Sequence, residues 1–287
     1  MPFTLSHAAA VLPGVRRDGR ARGPLVASAL VAGSFSPDMT YYAASVIPGA
    51  MLFGDVTHSF PGVVTVDVLI TAALVGLWLL VREPLVALLP RRWRGRVYGV
   101  VRGRPWAERR PAALAGWFVL SAVIGATTHV VWDAFTHLDR WGTRVIPVLG
   151  EVVAGFPVYF YAQYGGSALA LLLLCWFTLR ALRAVPPDAP VPARVPVLDR
   201  RGLLLAGAVI GGCVVVGAVQ RVLRSYAYWG GTGRIVDLVP TVCFGAGAGL
   251  LLGVVLYGAG VRVRLRSVPV REAVAPRTPE RTGPGPR

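Results

Sequence analysis

The fold class this sequence predicts is all-α: a polytopic transmembrane helical bundle of about five to six spans, with short or re-entrant N-terminal helices. Three observations predict it. Apolar residues make up 54% of the chain and charged residues only 15%, against roughly 25% charged in a soluble domain. Mean hydropathy is +0.58. Long apolar runs alternate with short arginine-rich segments, the pattern of membrane spans and their cytoplasmic loops.

Taken in chain order, Leu5–Leu12 is too short to cross a bilayer core, which needs about 20 apolar residues as helix. Pro24–Ser36, about 13 residues, is either a short span or a helix buried against others. Gly62–Val81, Pro111–Trp132, Leu203–Val222 and Ile235–Val261 reach spanning length, and Ser167–Leu182 is a shorter fifth run. Between them lie an arginine-rich loop, 82–110, and a proline-rich linker, 184–199. These features form one transmembrane domain over 1–271. The tail 272–287, mostly Pro, Gly, Arg and Thr, is expected to be disordered.

The net charge of +16 comes from 30 basic residues, all arginine. They cluster at Arg16–Arg22, Arg82–Arg110, Arg180–Arg201 and Arg262–Arg271. If Pro24–Ser36 crosses, all four clusters fall on one side, which favours six passes with both termini cytoplasmic. This placement argues for a cell-membrane protein and against a nucleic-acid partner. The aromatics Tyr41, Tyr42, Trp132, Trp141, Tyr159 and Tyr226 gather toward the other face, as ring side chains do at headgroup level. Cys175, Cys213 and Cys243 each sit inside an apolar run without a CxxC pair, so neither a disulfide framework nor a thiolate metal site is expected. In the opening stretch the charges follow the apolar residues, the reverse of a secretory signal, so His7 is expected to be retained.

The chain has four histidines, His7, His58, His129 and His137, and none lies in the linker or the tail. His129 and Asp133 are spaced to share one helix face a turn apart, a starting pair for a divalent metal such as zinc, manganese or iron. The same spacing also occurs where a histidine merely anchors a helix. On the six-pass topology His58, His129 and Asp38 converge at one membrane face, where ionisable groups are functional by default. His7 meets Asp38 if Leu5–Leu12 and Pro24–Ser36 form a buried hairpin; otherwise it is a helix-start residue. Asp55, three positions before His58, is a candidate to orient that imidazole, or a turn-forming acid. Glu151 and Asp139 are either further ligands or bases, or ordinary loop acids. Asp55 and Glu151 are the candidate catalytic acids. Asp67, early in its span, is expected to face protein or water.

The segments MPFTLSHAAAVLP, SPDMTYY and THSFPG, followed by HxxxD, resemble an uncharacterised bacterial membrane-protein family, domain of unknown function 4184. The resemblance covers about the N-terminal half, with His7, Pro37, Asp38, Thr57, His58, Ser59, His129 and Asp133 matching. The order His, Asp, His-Ser, His-x-x-x-Asp is also loosely similar to membrane-bound metal-dependent hydrolases and to zinc-dependent phospholipase C. The chain departs from the hydrolase pattern: GDV stands before Thr57 where that group often has HR-x-x-THS, and a second HxxxE or HxxxD helix is missing.

The resemblance implies a centre for a divalent metal (zinc, manganese, iron or magnesium) built from His7, Asp38, His58, His129 and Asp133. It further implies a bacterial cell membrane, membrane lipid as partner, and hydrolysis of a lipid-linked ester or phosphoester at the interface. A metal-dependent, non-hydrolytic reaction on a lipid diphosphate is a variant of the same reading. The alternative is a non-enzymatic membrane protein, a transporter or scaffold, whose polar cluster binds an ion or ties helices together.

Overall fold

The computed structural model describes residues 3–229 and 235–267; the tail expected to be disordered, 272–287, lies outside them. The chain is an all-α bundle in which, among the described residues, five helices are long and apolar enough to cross a membrane. It begins with a broken helical strip, Thr4–His7, α1 (Ala8–Val11) and Leu12–Gly14. A turn carrying the first arginines leads into α2 (Ala27–Gly33), the turn Ser36–Asp38 and α3 (Met39–Ala43). The short helices α4 (Gly54–Thr57) and α5 (Phe60–Val64) introduce the first long one, α6 (Val66–Ala87). Next come α7 (Arg91–Val101), α8 (Pro111–Thr136) and α9 (Trp141–Val145). A small antiparallel hairpin, Val152–Val153 with Phe156–Pro157, precedes α10 (Val158–Ala184), α11 (Arg200–Trp229) and α12 (Ile235–Ser267).

The segment Pro24–Ser36, favoured above as a sixth crossing, holds only the seven-residue α2. Its end has a local cause. Ser34 Oγ and Ser36 Oγ donate to the carbonyls of Val31 and Gly33, at 2.8 and 2.9 Å, and Pro37 opens the next turn. Hydroxyls that take backbone acceptors in this way compete with the helix ladder. Even so, the chain passes from Pro24, beside Arg109 at the start of α8, to Ser34, beside His129 near its end, so described arginines of all four clusters still gather at one end. Arg109 Nη1 donates to Pro24 O at 2.7 Å, tying the first cluster's segment to the second. Arg194 donates to the Tyr98 hydroxyl. Glu83 pairs with Arg82 at 2.8 Å, Arg262 at 2.7 Å and Arg194 at 3.6 Å, joining three clusters.

Two close approaches position the parts. Between α2 and α8, a Cβ added at Gly125 would stand 2.3 Å from Leu30 O, and one at Gly33 would stand 2.5 Å from Ala122 O. Only glycine on both helices allows this backbone contact, which fixes the residues after Gly33 against α8. Pro84 inside α6 cannot donate to the carbonyl four residues back. Arg262 of α12 fills that acceptor instead, Nε to Leu80 O at 3.1 Å. The proline-rich stretch is no free linker either: Val195 is buried with Val86, Ala87 and Tyr98.

Candidate metal centre

His58 follows α4, and its ring is held by the backbone: Nδ1 lies 2.8 Å from Gly54 O. His129, on the inner face of α8, is held likewise by Ser34 O at 2.8 Å, a carbonyl delivered by the glycine contact of α2 with α8. A carbonyl can only accept, so in both rings Nδ1 carries the proton. Both Nε2 atoms therefore turn inward.

They turn toward two carboxylates. His58 Nε2 is 3.5 Å from Asp133 Oδ2 and 3.9 Å from Asp38 Oδ1. His129 Nε2 is 3.5 Å from each of the same two oxygens. One ligand atom from each of Asp38, His58, His129 and Asp133 lies within 4.8 Å of all the others. Asp38 is oriented by its second oxygen, which accepts from Thr4 Oγ1 at 2.5 Å, and Thr4 in turn accepts from Tyr42 Oη at 3.0 Å. Burial pushes the Tyr42 phenol up to about 12, which keeps it a donor at any ordinary pH. Thr57 Oγ1 donates to Pro37 O at 2.8 Å and so ties the Asp38 turn to the His58 helix.

His7 stacks on His129 with ring centroids 3.7 Å apart, and its Nε2 is 3.5 Å from Asp133 Oδ1. The buried hairpin thus brings His7 to the cluster. Burial holds its imidazole down, to about 3, with His129 adding to the effect and Asp133 opposing it. It is therefore neutral. His137 stands beside the group, Nδ1 3.7 Å from Asp133 Oδ2 and Nε2 3.1 Å from Gln163 Nε2.

The two acids expected to be catalytic are placed elsewhere. Asp55 is exposed, and the Gly54 carbonyl holds the imidazole that Asp55 was expected to orient. Glu151 is exposed at the start of the small hairpin, its carbonyl accepting from Val158 N at 2.9 Å. Asp139 is exposed in the turn after α8, with φ +60°. The sequence offered Thr4 only as a candidate helix cap before His7, gave Ser34 no role, and gave Asp67 none in chemistry. Asp67 is fully buried in the first turn of α6, and neither of its carboxylate oxygens has a hydrogen-bond partner among the described residues. An acid so early in an apolar span was the signal available for it.

The donor set suits a cation. Buried polar atoms normally find partners. Here His129 Nε2, Asp133 Oδ1 and both nitrogens of His7 have no hydrogen-bond partner among the described residues. Two inward lone pairs beside two carboxylates leave negative potential with nothing to balance it unless a proton or a metal ion lies between them. Two imidazoles and two carboxylates, each imidazole anchored through its other nitrogen, match the way protein metal sites are supported.

A family profile described as Domain of unknown function (DUF4184) matches residues 1–259. No curated protein and no solved structure matches the chain.

Proposed function

The chain belongs to the DUF4184 family, whose description carries no activity, and we propose from the centre itself that the protein is a metal-dependent membrane hydrolase acting on a lipid-linked ester or phosphoester. The observation that carries the reading is the convergence of Asp38, His58, His129 and Asp133, buried and sharing one 4.8 Å cluster. Imidazole with carboxylate favours zinc, iron or manganese over magnesium, which prefers oxygen alone. Bound there, such an ion supplies an acidified water and polarises the scissile group.

The chain's own groups do the rest. Asp38 is fixed by Thr4, and the two imidazoles by Gly54 and Ser34, so the donors are set before any ligand arrives. Neutral His7, neither nitrogen hydrogen-bonded among the described residues and its Nε2 3.5 Å from Asp133 Oδ1, offers one more lone pair beside the four donors. A lipid substrate is favoured by the apolar surface on the segment before and after His58. Val46 is 75%, Leu52 80% and Phe60 81% exposed. Such an apron beside a polar centre suits the boundary of headgroup and acyl chain. The arginine-bearing end is then the cytoplasmic one and the centre faces the opposite side.

The test is metal content and turnover on the same detergent-purified protein. About one or two equivalents of a transition metal are expected, with release of product from lipid esters or phosphoesters that stops on chelation and returns on adding metal back. Bound metal without turnover on any lipid ester or phosphoester overturns the hydrolase and leaves an ion-binding membrane protein. No metal in a folded protein supplied with zinc or manganese overturns the centre as well.

A further inference from the structure

From the arginine-bearing end of the bundle, α2, α6 and the segment after α7 line a cavity of about 820 Å³ that reaches inward as far as Phe35, within the size range of ligand pockets. None of the four ligands of the candidate centre lines it. Its inner wall is apolar, with Val26, Val31, Phe35, Leu74, Val75 and Trp78. Its outer end carries Arg82, Arg102, Arg104, Arg109 and Arg194, and no carboxylate lines it among the described residues. From Leu74 to Arg82 the wall extends about 12 Å along α6.

These arginines are not equivalent. Arg82 and Arg194 are drawn to Glu83, and Arg109 donates to the carbonyls of Pro24 and Leu25. The Arg102 guanidinium has no acceptor among the described residues, and Arg104 has only a 3.5 Å contact with exposed Glu108. Both are exposed, and Trp106, 37% exposed, stands between them and Arg109 in the chain.

We propose that this cavity binds one anionic phospholipid, its phosphate at Arg102 and Arg104 and an acyl chain along the α2–α6 wall. Guanidinium groups grip phosphate through paired N–H donors, and basic pockets between membrane helices on the arginine-rich side take anionic headgroups. A soluble phosphate compound leaves the apolar wall unused; a zwitterionic lipid offers the same phosphate but sets a second positive group among five arginines, with no carboxylate lining the cavity among the described residues to receive it. This site is independent of the metal centre and of any reaction there.

The test is lipid retention by the full-length protein in detergent, read by native mass spectrometry. Phosphatidylglycerol, phosphatidylcholine with the same chains, and glycerol phosphate are titrated in turn. One phosphatidylglycerol is expected to remain bound, with at least about tenfold less phosphatidylcholine, a difference of about 1.4 kcal/mol. Arg102→Ala with Arg104→Ala is expected to bring phosphatidylglycerol down to the phosphatidylcholine level. Ser28→Trp, or Val31→Phe where the first variant does not fold, fills the cavity with the arginines intact and is expected to lower retention as well. Metal content is expected to stay unchanged in all of them. Equal retention of the two lipids, or phosphatidylglycerol retention unmoved by either kind of variant, overturns the proposal. Glycerol phosphate binding as tightly as the lipid reduces the site to a simple anion site and overturns it too.

Discussion

Each end of this bundle buries a carboxylate among basic side chains, yet the two ends are built to different standards. At the arginine end, Glu83 receives hydrogen bonds from Arg82 and Arg262, and Arg194 stands 3.6 Å away. Nearby Arg94 is satisfied by the carbonyls of Ala87 and Leu89. At the histidine end, Asp133 is approached by His7, His58 and His129 at 3.5 Å each, too long for good hydrogen bonds, and buried atoms remain without partners. The first group closes on itself and works as a staple between helices. The second leaves donors open in a group that could hold a metal ion. Counting charges makes the two look alike; counting unmet hydrogen bonds separates them.

That contrast can be broken in graded steps. The largest effect is expected from His58→Ala with Asp133→Ala, which removes two of the four donors. Bound metal, read by elemental mass spectrometry, should fall from about one or two equivalents to background while the helical spectrum is kept. Glu83→Ala should do the opposite: metal content unchanged, but stability in detergent lowered by about 3 kcal/mol. That is the low end for breaking a buried ion pair, because Arg194 is already 59% exposed. Metal loss in Glu83→Ala, or no change of stability, would erase the distinction between the ends. A smaller step is Thr4→Val, which frees Asp38 from its orienting hydroxyl. About tenfold weaker metal binding, measured by competition with a chelating dye, is expected for losing such a supporting partner. The smallest step is Asp55→Asn. No change in metal content or turnover is expected, since the Gly54 carbonyl already sets the His58 ring.

Much of this was legible in the sequence, and the parts that were not share a cause. The spans showed themselves as long apolar runs, and the spacing of His129 and Asp133 placed them on one face of α8. The arginine clusters favour a sixth span over a buried helix at Pro24–Ser36, and there the chain differs. Charge placement reports which side a loop lies on, not whether the chain between loops is one helix, and Ser34, Ser36 and Pro37 break this one into pieces. Asp55 was a reasonable guess for orienting His58 because acids often do so. The chain used a backbone carbonyl, which every residue has and no sequence motif reveals. The same holds for Ser34 and His129. Glu83 was hidden because two of its partners, Arg194 and Arg262, come from distant arginine clusters, each of which looked complete as a loop.

The four donors of the candidate centre and His7 all precede the end of α8 at Thr136. During synthesis they are made before α11 and α12. The chain's opening hairpin, the turn that joins α4 to α5 and the second long helix thus carry every donor of the group between them. The last two helices pack mainly on each other, where a Cβ at Gly249 would stand 2.0 Å from Cys213 O, and they contribute none of the four donors. In this protein the order of manufacture runs from the donors to their casing.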